Sequence, residues 1–379
     1  KIETSAFLLG PRGTGKSTWI QQNYKDDSVV YDLLNTTELI RLSRNPSLIY
    51  QETAHLPPDS WVIVDEIQKV PALLNEVHRI IEEKKLRFIL SGSSARKLRA
   101  SGVNLLAGRA LTCNMFPLVS KEVNFDLDLE KRIAFGMLPG SFSAANPKKF
   151  LQAYAETYLK EEIREEALTR NFGSFARFLE IAARQNGQLT NTAAIARDAG
   201  VARQTVQGYF DILIDTLIGF WLEPWKLKRP TKQVGHSKFY FFDSGVVRAL
   251  SGRLPYPPTP EESGPLFECF IINELRAYLH YTERDYPLYF WRSQGGVEVD
   301  IMFETATGYV AIELKNGARW EKKFNRGMHR LSEELGKEKV ACFGVFMGER
   351  QLTVDGVTVY PALDFLRRLW RGEIAGTAI

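Results

Sequence analysis

Cysteine is scarce in this chain: three residues in 379, accompanied by five histidines. Cys113, Cys269 and Cys342 lie far apart, with neither metal-ligand spacing nor a disulfide framework, so they read as core residues in a reducing, cytoplasmic setting. His55, His78, His236, His280 and His329 show no ligand spacing either, and no zinc site is expected. No run of about 18 apolar residues occurs, which argues against an apolar membrane-spanning helix. Nothing at either end reads as a secretion signal, and the first residue is Lys rather than Met. What remains is ordinary globular composition, 44% hydrophobic and 25% charged, in a chain long enough for two or three domains. The net charge of +4 is compatible with a nucleic-acid partner without requiring one.

The organising stretch is Phe7-Leu8-Leu9-Gly10-Pro11-Arg12-Gly13-Thr14-Gly15-Lys16-Ser17-Thr18. An apolar strand enters a glycine loop and leaves into a helix, with the spacing of a Walker A phosphate-binding loop. Gly13 and Gly15 allow the backbone to curl so that its N–H groups point inward at phosphate oxygens. Lys16 is expected to reach the β- and γ-phosphates of ATP, and Ser17 to hold Mg²⁺, at the positive end of the following helix. Downstream, Trp61-Val62-Ile63-Val64-Asp65-Glu66 reads as a buried parallel strand ending in two carboxylates. Asp65 would coordinate the ion through water, and Glu66 would polarise the attacking water.

Arg87-Phe88-Ile89-Leu90 is the next strand and ends in Ser91-Gly92-Ser93-Ser94. A polar strand tip beside the phosphate loop suits a γ-phosphate sensor, for which Ser91 and Ser93 compete, whereas Ser94 could cap a helix. Of the arginines that follow, Arg109 in Leu106-Ala107-Gly108-Arg109 is the candidate for a finger reaching a neighbouring subunit, with a plain surface charge as the alternative. Leu39 to Leu48 reads as a loose helix, and Leu73, Leu74, Val77, Ile80 and Ile81 as an amphipathic one. A strongly helical pattern runs from Phe150 to Glu166, its paired glutamates forming a solvated face.

Further on, Asp198-Ala199-Gly200-Val201 joins two helical patterns, followed by a long apolar helix and a basic segment of Lys226, Lys228, Arg229 and Lys232. This order is that of a winged helix-turn-helix, with Arg203, Gln204 and Gln207 at the exposed start of the second helix, and either DNA or a packing neighbour as its partner. Four prolines between Arg253 and Pro260 mark a domain linker.

In the C-terminal part, Val297-Glu298-Val299-Asp300-Ile301 alternates with period two, placing Glu298 and Asp300 on one face. Tyr309-Val310-Ala311-Ile312-Glu313-Leu314-Lys315 does the same for Glu313 and Lys315, so Asp300, Glu313 and Lys315 fall within reach of one small site. Arg319, Lys322, Lys323, Arg326 and Arg330 read as a basic helix that could guide a phosphate backbone toward Lys315, or as a solvated face.

The phosphate loop, the Val-Asp-Glu strand, the Ser-Gly-Ser-Ser strand end and the Ala-Gly-Arg element before Phe116-Pro117-Leu118 together resemble the AAA-superfamily ATPases of archaea and bacteria with a C-terminal DUF4143-like domain. That resemblance implies an α/β architecture in four parts. These are a P-loop AAA+ core at residues 1–118, a helical lid at 119–169, a winged-helix domain at 170–255, and a restriction-endonuclease-like α/β domain at 261–379. The last part resembles the PD-(D/E)XK nuclease fold, with Glu268 as the upstream helical acid. The resemblance implies Mg²⁺, or Mn²⁺ in its place, on Glu268, Asp300 and Glu313, with Lys315 activating water. It further implies a homo-oligomer, with a ring such as a hexamer as one form, and DNA as partner, with branched DNA suggested by Holliday-junction resolvases of similar core. An ATP-dependent regulatory switch or assembly factor with a non-catalytic C-terminal domain is the competing expectation.

Overall fold

The computed structural model describes residues 2–24, 28–93, 106–158, 172–226 and 236–374. Two compact units result, one of Lys1–Pro117 with Asp211–Ile218 and the other of Leu118–Phe210 with Gly219–Ile379.

The first unit is built on five strands, β1 (Ala6–Leu9), β2 (Ser28–Asp32), β3 (Trp61–Asp65), β4 (Arg87–Gly92) and β5 (Leu111–Asn114). All run parallel in the order β2-β3-β4-β1-β5. Their helices are α1 (Lys16–Tyr24), α2 (Thr36–Arg44), α3 (Leu48–Glu52) and α4 (Leu73–Lys84). The inner strands β1, β3 and β4 are largely apolar because both faces are covered: Val62, Val64, Phe88 and Leu90 join Leu73, Leu74, Val77 and Ile80 in one core. Leu8, Ile63 and Ile89 face Ile20 and Tyr24 in another. The register pairs Leu9 with Gly92 and Val64 with Leu90, which brings the carboxyl ends of β1, β3 and β4 to one edge. The single helix expected over residues 39–48 is two, because Pro46 cannot donate to a continuing helical ladder.

The second unit begins with α5 (Leu129–Phe135), α6 (Pro139–Ser143) and α7 (Pro147–Ala153), the last passing into a π-helical turn at Tyr154–Tyr158. The paired glutamates of the expected lid helix lie outside the described residues. Next come α8 (Phe172–Arg184), α9 (Thr192–Ala199) and α10 (Arg203–Asp215), of which residues from Asp211 on are counted with the first unit, then the antiparallel pair β6 (Gly219–Pro224) and β7 (Lys238–Phe241). Phe178, Phe210, Trp221 and Phe239 pack ring against ring, so the half-buried Trp221 lies against this core. After α11 (Ser244–Leu250) and α12 (Pro260–Tyr281), the strands β8 (Tyr289–Arg292), β9 (Glu298–Thr305) and β10 (Gly308–Lys315) form an antiparallel run. Helix α13 (Arg326–Leu335) leads to β11 (Val340–Phe346), parallel to β10, and β12 (Leu352–Val354), β13 (Val357–Pro361) and α14 (Ala362–Trp370) complete the unit.

The strands form one eight-stranded sheet, β12-β13-β11-β10-β9-β8-β6-β7. Hence β6 and β7, from the segment expected to form a separate winged domain, continue the sheet of the C-terminal segment. The proline-rich connection at 253–260 is correspondingly fastened. Fully buried Arg248 donates to the carbonyl oxygens of Arg253 (2.9 Å) and Tyr256 and to Glu262 (2.8 Å). Proline removes donors but leaves carbonyls to be satisfied, and one guanidinium serves several of them.

Glu274 on α12 is buried and accepts from the backbone and hydroxyl of Ser120 and from the Trp370 indole N–H. Burial pushes its carboxyl up to about 6, above the usual glutamate range. Because the folded state holds this proton more tightly, the contribution is fully present below the unfolded value and is lost as pH rises through about 6. The loss amounts to roughly 2 kcal/mol. Denaturant midpoints between about pH 4 and pH 8 should therefore fall more steeply in the wild-type chain than in Glu274→Gln, whereas parallel curves would remove Glu274 as the cause.

Candidate functional sites

Each unit gathers one constellation. In the first, the loop between β1 and α1 turns on Gly13 (φ 73°) and Gly15 (φ 96°). Gly10 is needed for another reason: a Cβ there would lie 2.4 Å from the Met115 carbonyl oxygen. Buried Lys16 donates to the carbonyls of Gly10 (2.7 Å) and Pro11 (3.1 Å), and Thr14 to that of Pro11 (2.7 Å). Arg12 and Thr18 flank this cradle in sequence. Ser17 Oγ donates to Asp65 Oδ2 at 2.8 Å, which sets hydroxyl and carboxylate together as a magnesium site would need them.

Ser91 at the tip of β4 donates to the other Asp65 oxygen and accepts from the Glu66 backbone N–H (3.2 Å). Ser93 lies with Glu66, its hydroxyl 3.4 Å from Oε2. The two serines that competed for one role thus attend different carboxylates. Glu66 is 6% exposed and sits in the left-handed region (φ 60°), a conformation costly for a non-glycine residue and one that turns its side chain out of the strand direction. Gln68, in the 3-10 turn Ile67–Lys69, donates to Glu66 Oε2 and to Ser93 Oγ (3.1 Å). Sequence reasoning missed Gln68, since a glutamine two residues beyond an acidic strand end carries no spacing signal. Arg109 pairs with Glu82 of α4 in the same chain. Ser94, Arg96, Lys97 and Arg99 lie outside the described residues.

In the second unit, Ile301 faces Ile312 across β9 and β10, so Asp300 and Glu313 occupy the next facing positions. Asp300 Oδ2 accepts from the Leu314 backbone N–H (2.8 Å). Lys315 Nζ lies 2.6 Å from Glu313 Oε1 and 3.7 Å from Asp300 Oδ2. The other Glu313 oxygen is buried without a hydrogen-bond partner. Burial, reinforced by the charge of Asp300, pushes the Glu313 carboxyl up to about 8.

Glu268 reaches this cluster from α12, but its carboxylate is engaged by residues no motif had singled out. Lys238 of β7 lies 3.1 Å from Glu268 and 2.7 Å from Glu298, and Tyr240 donates its hydroxyl to the same Glu268 oxygen. Against burial, which lowers it, the charges of Glu268, Asp300 and Glu298 raise the Lys238 ammonium above the usual lysine range. Among the described residues no group of three or more His, Cys, Asp and Glu is gathered so as to hold a metal ion. The three expected metal carboxylates thus fall into two sets, Asp300 with Glu313, and Glu268 with Lys238. The unsatisfied Glu313 oxygen fits a cation, and Asp300 and Glu313 are the residues that would hold it.

A second-unit groove of about 640 Å³ is lined by the cations Lys322, Lys323, Arg326 and Arg330 together with the acids Glu333 and Asp355, Lys322 lying 3.3 Å from Asp355. The helix expected to carry these cations is shorter, with Arg319 before it, Lys322 and Lys323 in a 3-10 turn, and α13 starting at Arg326. Arg203, Gln204 and Gln207 are exposed at the start of α10, which follows α9 after a left-handed Gly200. Lys226 is exposed, whereas Lys228, Arg229 and Lys232 lie outside the described residues.

Three family models match the chain in succession: an AAA domain at residues 3–124, a domain of unknown function (DUF8612) at 126–256, and a domain of unknown function (DUF4143) at 263–365. The chain therefore joins an AAA-type ATPase domain at its N-terminus to a DUF4143 domain at its C-terminus, the architecture implied by the sequence resemblance. Over 370 residues it is 27% identical to the uncharacterized proteins Mb2031c of Mycobacterium bovis and Rv2008c of Mycobacterium tuberculosis, covering 95% of this chain and 80% of each relative. Among solved structures, Can2 from Sulfobacillus thermosulfidooxidans in complex with cyclic tetra-adenylate aligns over 98% of this chain and 99% of that one. Its 12% identity and TM-score of 0.24 carry no argument about fold or function. The AAA domain implies nucleotide binding, and among the described residues no helix is long and apolar enough to cross a membrane.

Proposed function

We propose that the protein hydrolyses ATP at the Lys16–Ser17–Asp65–Glu66 constellation and cleaves DNA at the Asp300–Glu313–Lys315 constellation, the first activity moving or opening the substrate of the second. The observation that carries the nuclease assignment is the juxtaposition of Lys315 with two facing carboxylates, one oxygen of which is buried and unpartnered. Helix α12, the strands β8-β9-β10, helix α13 and β11 give the order of a restriction-endonuclease-like core, which supports this reading. A divalent ion on Asp300 and Glu313 would polarise the scissile phosphate. The chain's own residues do the rest: Lys315 orients water and offsets charge, and Asp300 is held in place by the Leu314 N–H. The basic groove supplies contacts to a phosphate backbone, and the exposed start of α10, in a helix-turn-helix followed by the β6–β7 hairpin, supplies another.

The test is cleavage of labelled linear, forked and four-way DNA with Mg²⁺ or Mn²⁺, with and without ATP, in the wild type, Lys315→Ala and Glu66→Gln. A second reading, an ATP-dependent switch with a non-catalytic DUF4143 domain, is favoured by the ion pairs that already engage Glu313 and Glu268. It would be upheld by DNA or protein binding that responds to ATP in a chain that cuts none of these substrates.

For the ATPase, Gln68 is expected to act as a restraint that holds Glu66 through its amide. Gln68→Ala should raise basal phosphate release roughly ten-fold, for about 1.4 kcal/mol of holding energy removed. A fall in rate would instead make Gln68 a residue that positions Glu66 productively.

A further inference from the structure

The acid cluster of the second unit is a composite of two family regions. Glu268, Glu298, Asp300 and Glu313 lie within the segment matched by DUF4143, at 263–365. Lys238 and Tyr240 lie within the segment matched by DUF8612, at 126–256. Strand β7 delivers them because β6 and β7 extend the C-terminal sheet beyond β8.

Lys238 is 5% exposed, and its ammonium is shared between Glu268 (3.1 Å) and Glu298 (2.7 Å) while lying 5.3 Å from the centroid of the Phe290 ring. A buried ammonium paired with two carboxylates and backed by an aromatic face is a fixed charge, because removing either partner leaves an uncompensated ion in a poorly solvated place. Such a charge does the electrostatic work of a bound cation. With a cation in place to displace the proton that burial favours on Glu313, the four carboxylates Glu268, Glu298, Asp300 and Glu313 outnumber the two ammoniums Lys238 and Lys315 by two negative charges, the charge of a single divalent ion. Arg292, at 3.5 Å from Glu298, is 41% exposed, so its charge is screened by solvent. The unpartnered Glu313 oxygen marks where the deficit lies, on the Asp300–Glu313 side.

We propose that Lys238 is a built-in cation standing where a second divalent ion would bind, so that the site takes one ion, on Asp300 and Glu313, with Glu268 reserved for Lys238 and Tyr240. The proposal rests on the metal-dependent reading above. Lys238 is then a positioning residue, fixing ion number and holding Glu268 off the metal.

Ion number decides it. Mn²⁺ titration of the full chain, read as free Mn²⁺ by electron paramagnetic resonance, would use an Asp65→Asn background to silence the phosphate-loop site. The expected result is one bound ion, lost on adding Asp300→Asn, and two ions on adding Lys238→Met, with mutual broadening of their signals. Two ions with Lys238 present, or one ion remaining in folded Lys238→Met, would overturn this proposal while leaving the metal site standing. No bound ion in any variant would overturn the metal-dependent reading and this proposal with it. Should Lys238→Met not fold, the parent chain still decides: two ions reject the proposal, and one ion released by Asp300→Asn sustains it.

Discussion

Glu66→Gln is expected to lower kcat for ATP hydrolysis by at least about 100-fold while changing nucleotide affinity little, since a positioned base contributes that much to proton transfer and nothing to ground-state binding. The structure gives four reasons for assigning this to Glu66 rather than Asp65. Asp65 is engaged through one oxygen by Ser17 and through the other by Ser91, which leaves it a metal-organising role. Glu66 is buried, held in a left-handed conformation, and its carboxylate is met by the Gln68 amide and the Ser93 hydroxyl rather than by the residues that engage Asp65. Lys16→Ala should behave differently, weakening binding itself, on the proposal that the Lys16 ammonium, here on the Gly10 carbonyl at 2.7 Å, is the cation that reaches the phosphates. Phosphate release and a fluorescent-nucleotide titration on both variants separate the roles. If Glu66→Gln retained more than about a tenth of the wild-type rate, the water-activating assignment would be lost.

Lys315→Ala is expected to reduce DNA cleavage by about 100- to 1,000-fold, the scale of removing one preorganised charge at a phosphoryl transition state. The ammonium touches both Glu313 and the Leu314 carbonyl and lies near Asp300, so its loss also leaves Glu313 buried without its counter-ion. A melting comparison is therefore needed beside the activity, and Lys315→Arg provides a charge-preserving control that restores stability without the compact donor geometry. Loss of cutting in both variants with ATP hydrolysis intact separates the two sites. Equal cutting by wild type and Lys315→Ala would assign scission to other residues or to a contaminant.

The two motifs were legible because each is local. Glycine spacing, a buried strand ending in acids, and period-two alternation place Lys16, Asp65, Glu66, Asp300, Glu313 and Lys315 without any knowledge of tertiary contacts. Lys238 and Tyr240 were not legible for the opposite reason. In Lys238-Phe239-Tyr240-Phe241-Phe242 the aromatic run reads as a strand buried on both faces, and the partner of Lys238 is thirty positions away on a helix. Gln68 was hidden likewise, since its meaning depends on the backbone turn at Glu66. The stretch expected as a linker at 253–260 lies where the DUF8612 region gives way to the DUF4143 region, and its four prolines signal irregular backbone but not whether anything fastens it; Arg248 does.

The shared sheet bears on how such proteins can be rearranged by recombination. A crossover in the proline-rich connection would appear harmless in sequence, separating one recognisable region from the next. In the fold it would strip β8 of its neighbour β6 and part Glu268 from Lys238 and Tyr240. A chimera joining the middle region of one relative to the C-terminal region of another inherits a raw sheet edge and an unneutralised acid unless both halves of that contact travel together. The regions matched by DUF8612 and DUF4143 are thus heritable as a pair.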